Sequence, residues 1–125
     1  MVTLESTLAA PREAGVVYTK PWMVDLVLDL AGYLPEKRLS DLVALEPSAG
    51  DGAFLSAMVK RLVDSCERHG IPLSQAGNAL QAFEIDPAAA ERAVEVVRAT
   101  LVALKVPATT AIALARQWIK VGDFL

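Results

Sequence analysis

Cysteine and histidine are almost missing from this sequence, with one of each in 125 residues. A lone Cys66 closes no internal disulfide and cannot furnish a Cys-rich zinc site. A reducing compartment therefore suits the chain. Positive charge is not in excess: 12 Lys and Arg against 15 Asp and Glu leave a formal −3. A free-standing nucleic-acid binder normally shows the opposite, a basic patch. No apolar run reaches bilayer length, because Asp25, Asp29 and similar charges interrupt each one. Met1 to Ala10 holds Glu5 and no early Lys or Arg, so a signal peptide is not expected. These absences predict a cytoplasmic protein with no membrane partner.

Apolar residues are what the chain has in plenty, at 54%. That is enough for one packed domain, and the length leaves no room for two. Residues 1–14 show no period and read as an N-terminal arm. From Pro21 the spacing is helical, with Trp22, Leu26 and Leu30 on one face, Met23, Val27 and Ala31 beside them, and Asp25 and Asp29 on another stripe. Thr19 is expected to cap this helix, and Gly32 and Pro35 to end it. Leu42 to Leu45 reads as a buried parallel strand. A helix follows from Ala53, with Phe54, Leu55, Met58, Leu62, Val63 and Cys66 inward, Lys60, Arg61, Asp64, Glu67 and Arg68 outward, and Gly70 as its stop.

Residues 79–85 read as a second strand. Asp86-Pro87 then opens a helix running to about Lys105, and 107–116 adds a helical piece begun by Thr109 or Thr110. Trp118 to Val121 reads as a third strand. Alternation of this kind predicts an α/β fold of three parallel neighbouring strands with flanking helices, and ligands beyond the strands' carboxyl ends.

The first strand runs into Glu46-Pro47-Ser48-Ala49-Gly50-Asp51-Gly52, a turn sharp enough to bring a ligand to bare backbone at a helix N-terminus. The second ends in Phe83-Glu84-Ile85-Asp86. There Glu84 can accept both hydroxyls of a ribose, while Asp86 reads as a helix cap. The third ends in Asp123-Phe124, which could accept an adenine amino hydrogen and pack on the ring. Taken alone, that pair is no more than a charge and an aromatic beside each other. Three acidic ends disfavour a phosphate-rich ligand and suit one with a ribose, an adenine and a cationic centre, as S-adenosylmethionine has. A dinucleotide fits less well, since Leu55 stands where its glycine pattern needs a third Gly.

These motifs resemble those of the DNA adenine N6-methyltransferases with gamma-type motif order, found among restriction-modification methylases. Glu46 to Leu55 is similar to their cofactor motif, Gly15-Val16-Val17-Tyr18-Thr19-Lys20-Pro21 to the segment preceding it, Phe83 to Asp86 to the acidic motif, and Gly122 to Leu125 to the next. The resemblance covers residues 15–125. It implies a partial Rossmann-like S-adenosylmethionine-dependent methyltransferase fold. It also implies that Tyr18 and Thr19 hold the methionine carboxylate, and that Glu46, Ser48, Gly50, Asp51 and Gly52 surround the methionine. Glu84 would take the ribose, Ile85 and Phe124 would pack on the adenine, and Asp123 would accept its amino group. Lys20 departs from the family pattern, in which Pro directly follows Thr.

The family's catalytic motif, Asn or Asp followed by Pro-Pro and an aromatic, is not in this sequence, and no Pro-Pro occurs. The resemblance thus implies no catalytic residue here: a cofactor-binding part that is inactive alone, with weak or no DNA binding outside the full enzyme. The exposed edge of strand 42–45 would then invite self-association. The same fold could instead methylate RNA or a protein glutamine, or serve as a non-catalytic interaction module. Among lesser candidates, His69 reads as a helix-end residue, Cys66, Trp22 and Trp118 as packing, and Lys60, Arg61 and Arg68 as a solvated face.

Overall fold

A proline at the first helical position presets the backbone, and the first helix, α1 (Pro21–Leu30), begins there. The computed structural model of the protein describes residues 2–3, 20–46, 49–50 and 52–123. Lys20, not Thr19, holds the capping position of α1, with no side-chain cap bond. Proline has no N–H to satisfy, which lessens the need for one. The buried face of α1 is Val24, Val27 and Leu28. The expected face is turned outward: Trp22 is 61% exposed, Leu26 47% and Leu30 74%. α1 is apolar around most of its circumference, so its roll is decided by its polar residues. Asp25 and Asp29 both meet Arg61 of α2 (Ala53–His69), which leaves Trp22, Leu26 and Leu30 on the far side. Arg61, expected on a solvated face, is correspondingly mostly covered.

After α1 the chain makes a short 3-10 turn, Leu39–Asp41, pinned by the Ser65 hydroxyl, which accepts the Leu39 N–H at 3.0 Å. That delays the central strand, β2 (Ala44–Glu46), by two residues against expectation. All three of its residues are buried. α2 carries Phe54, Leu55, Met58, Val59, Leu62, Val63 and Cys66 into the core. Gly70 ends it in the left-handed conformation, and the Ile71 N–H returns to the Cys66 carbonyl at 2.9 Å. β3 (Leu80–Glu84) leads through Asp86-Pro87 into α3 (Pro87–Ala103), where the Asp86 carboxylate accepts the Ala88 N–H as a cap should. α3 closes with Lys105 in the left-handed region, φ 73°, and Val106 bonded back to Leu101. α4 (Ala108–Trp118) starts behind Pro107, so Thr109 and Thr110 lie inside it rather than opening it. β4 (Ile119–Val121) completes the order.

β2, β3 and β4 pair in parallel as consecutive neighbours, Ala44 opposite Leu80, Glu46 opposite Ala82, and Glu84 opposite Val121. The edge of β2 is not bare. A two-residue strand, β1 (Val2–Thr3), runs parallel along it, Val2 opposite Ala44 and Thr3 opposite Leu45. Backbone pairing from the assigned arm thus occupies the edge proposed for self-association. Tyr33, Leu39, Leu55, Met58, Leu62, Leu101 and Trp118 are buried in one core cluster with the strand residues Ala44, Leu80, Ala82 and Ile119. The Trp118 indole N–H donates to the Ala76 carbonyl at 2.9 Å, so Trp118 is core, whereas Trp22 is not. His69 meets the Glu36 carbonyl at 2.9 Å, a helix-end role. No helix among the described residues is long and apolar enough to cross a membrane.

Candidate functional site

Two backbone hydrogen bonds tie the strand ends into one rim. The Ala49 N–H, in the turn after β2, donates to the Phe83 carbonyl at 3.0 Å, and the Gly122 N–H, after β4, donates to the Glu84 carbonyl at 2.8 Å. β3 is thus the centre of the rim, with the glycine turn on one side and Gly122-Asp123 on the other. The turn needs its glycines: Gly50 has φ 55° and Gly52 φ 83°, both left-handed. Gly52 has a second constraint, because a Cβ there would lie 3.1 Å from Val96 Cγ1 of α3. Gly52 closes the turn onto Ala49 at 3.0 Å, and its carbonyl accepts the Ser56 N–H at 2.8 Å as α2 begins. The opening turn of α2 leaves backbone N–H groups outside the helical ladder, with the positive end of the helix dipole behind them.

Glu46 is the last residue of β2 and is 1% exposed. A carboxyl group so buried demands polar partners, and Glu46 stands where β2 ends and the chain enters the glycine turn. Glu84 is the last residue of β3. Its Oε2 accepts the Ile85 N–H at 2.8 Å, which fixes the carboxylate at the strand end with its other oxygen outside that bond. Ile85 itself is 69% exposed, an apolar side chain standing on the rim. Asp86 is spent on the α3 cap, so Glu84 and Asp86 have separate duties, as their positions imply. Asp123 follows β4 and is exposed. The structure therefore brings Glu46, Gly50, Gly52, Glu84, Ile85 and Asp123 to the carboxyl edge of one sheet. Tyr18, Thr19, Ser48, Asp51 and Phe124 lie outside the described residues.

One layer of the site has no sequence signal. Thr100 of α3 bonds the Val96 carbonyl at 2.8 Å and meets the Ser56 hydroxyl of α2 at 3.1 Å. These contacts depend on how two helices sit beside each other, which no local motif encodes.

The chain is 38% identical over 119 residues to the type II methyltransferase M.XhoI of Xanthomonas vasicola, across 92% of this chain and 22% of that protein. It is 46% identical over 78 residues to M.BstVI of Geobacillus stearothermophilus, across 59% of this chain and 14% of that protein. Over most of its length the chain is similar to type II restriction-modification methyltransferases. A third relative, M.PaeR7I of Pseudomonas aeruginosa, is 34% identical over 114 residues, across 89% of this chain and 20% of that protein. The chain thus spans about a fifth or less of the length of these methyltransferases. No family model and no solved structure matches it. Its parallel sheet with flanking helices is a partial Rossmann-like methyltransferase fold.

A methyltransferase needs a methyl donor, and the donor set on the rim fits one of a given kind. Carboxylates accept hydrogens from hydroxyl and amino groups, and Ile85 offers an apolar surface to a flat ring. Among the described residues, no three His, Cys, Asp or Glu side chains gather as a metal site would require.

Proposed function

We propose that this chain is the S-adenosylmethionine-binding part of a DNA adenine N6-methyltransferase of a restriction-modification system. The observation that carries the reading is Glu84. It ends β3, its carboxylate is held by the Ile85 N–H, and an exposed Ile85 stands next to it while the glycine turn is tied to the same strand. Glu84 takes the ribose hydroxyls and Ile85 packs on the adenine. Asp123 accepts from the adenine amino group, with Phe124 against the ring. Glu46, Ser48, Gly50, Asp51 and Gly52 enclose the methionine part, and Tyr18 and Thr19 hold its carboxylate. Residues 15–125 form this unit. The donor supplies the methyl group on a sulfonium. The chain's own residues bind and orient it, and the flipped-out adenine is gripped by the Pro-Pro motif that these 125 residues do not contain. The fragment is therefore a binder without turnover and has little grip on DNA by itself.

Calorimetric titration with S-adenosylmethionine and S-adenosylhomocysteine, beside a Glu84→Ala control, tests this. Binding heat that disappears in the variant supports the reading. No heat at millimolar ligand, or heat unchanged by the substitution, counts against it.

A further inference from the structure

We propose that Val96 and Thr100 of α3 are positioning residues for the glycine turn, acting from behind it. The inference rests on the reading that this turn faces the methionine part of S-adenosylmethionine. Gly52 has no Cβ, and the space a Cβ would fill is taken by the Val96 side chain, whose Cγ1 lies 3.1 Å from that position. Four residues on, the single Thr100 hydroxyl proton goes to the Val96 carbonyl at 2.8 Å. The Ser56 hydroxyl is therefore the donor in its 3.1 Å bond to Thr100. Ser56 in turn gives its backbone N–H to the Gly52 carbonyl at 2.8 Å. The result is a closed circuit: Gly52 rests on Val96, Val96 bonds Thr100, Thr100 holds Ser56, and Ser56 closes the first turn of α2 back onto Gly52.

The circuit fixes two things a ligand would feel. It sets how deep the turn sits against α3, and it sets where the opening N–H groups of α2 aim. A turn built on left-handed glycines has little stiffness of its own, because glycine resists few backbone angles. Its stiffness must come from what it leans on. Val96 and Thr100 touch no ligand in this arrangement. They act through Gly52 and Ser56.

The test pairs a hydroxyl-deleting variant with its conservative partner. Thr100→Val keeps the shape and removes the bond, and Thr100→Ser keeps the bond. Loss of one hydrogen bond predicts S-adenosylmethionine binding weakened about three- to tenfold in Thr100→Val, and recovery to within about twofold in Thr100→Ser. In the absence of ligand, hydrogen exchange at the Ser56 amide should quicken in Thr100→Val and not in Thr100→Ser, with the Leu101 amide unchanged in both. Equal affinity and equal Ser56 exchange in all three proteins would overturn the proposal. If the wild-type protein binds no S-adenosylmethionine, the cofactor reading fails by itself, and the exchange measurement still decides whether α3 holds the turn. Val96→Ala gives an independent check: it opens space behind Gly52 and should quicken Ser56 exchange likewise.

Discussion

Arg61 of α2 gives one guanidinium nitrogen to both Asp29 Oδ1 of α1, at 2.8 Å, and the Tyr33 carbonyl, at 3.1 Å. Its other terminal nitrogen reaches Asp25 Oδ1 at 3.4 Å. One side chain thereby holds both the polar stripe of α1 and the residue at which α1 hands over to the following loop. Arg61→Met keeps much of the stem and loses the donors, so it should cost about 1.5–3 kcal/mol, the range for hydrogen bonds to charged groups. Asp29→Asn should cost no more than about 1 kcal/mol, because that carboxylate is exposed. Urea unfolding of the two variants checks the order, and equal costs would contradict the clamp.

Tyr33 is fully buried, and among the described residues its hydroxyl has no hydrogen-bond partner. An unmade bond of that kind is a standing penalty. Tyr33→Phe removes the hydroxyl and keeps the ring, and it should stabilise the protein by about 1 kcal/mol. A thermal melt reads this directly. A lower midpoint in the phenylalanine variant would mean the hydroxyl does find a partner in solution.

Burial pushes the Tyr33 phenol well above its usual range, with a smaller contribution from Cys66. Burial also raises the Cys66 thiol, helped by Glu67. Both groups lose a proton on ionising, so a raised value means the fold favours the neutral form. Their contribution is complete below the unfolded values, about 8.5 for Cys and about 10 for Tyr, and is lost as pH climbs toward the folded ones. The urea midpoint should therefore fall above about pH 8.5 and fall faster above about pH 10. Cys66→Ala should flatten the first part of the decline. A midpoint rising with pH in this window would refute the assignment.

The roll of α1 makes a paired prediction. Leu28 is fully buried and Leu26 is 47% exposed, two positions apart on one helix. Leu28→Ala should cost about 2–5 kcal/mol. Leu26→Ala and Leu30→Ala should each stay within about 0.5 kcal/mol. Chemical denaturation of the three variants distinguishes this roll from the one that the apolar spacing alone suggests.

That contrast shows where the sequence is readable. Gly70 and Asp86-Pro87 mark helix ends by chemistry that acts within a few residues, and both stand where local rules put them. Glu46, Gly52 and Glu84 could be grouped in advance because parallel strands with right-handed crossovers send their carboxyl ends to one side. The buried face of α1 is not legible in its sequence because seven of its ten residues, Trp22, Met23, Val24, Leu26, Val27, Leu28 and Leu30, are apolar. Periodicity then cannot choose a face, and Arg61, more than thirty positions away, does. Val2 and Thr3 are β-branched and suit a strand, but two residues are too few to set up an alternating pattern. Their partner, the edge of β2, lies some forty positions away. Val96 and Thr100 carry no local signal for a similar reason: their contacts depend on the offset between α2 and α3.

The sheet order has a consequence for how the protein can be made. β3 pairs with β2 and β4 pairs with β3, so each of these strands leaves the ribosome after its partner has already been synthesised. Translation delivers residues slowly compared with helix formation and loop closure. α2 can settle on β2 while β3 is still being assembled, and α3 can do the same before β4 appears. Only Val2 and Thr3 must wait for a later strand, with the whole of α1 made in between. The order of synthesis therefore allows β2, β3 and β4 to pair one after another, whereas Val2 and Thr3 pair with a strand made after themselves.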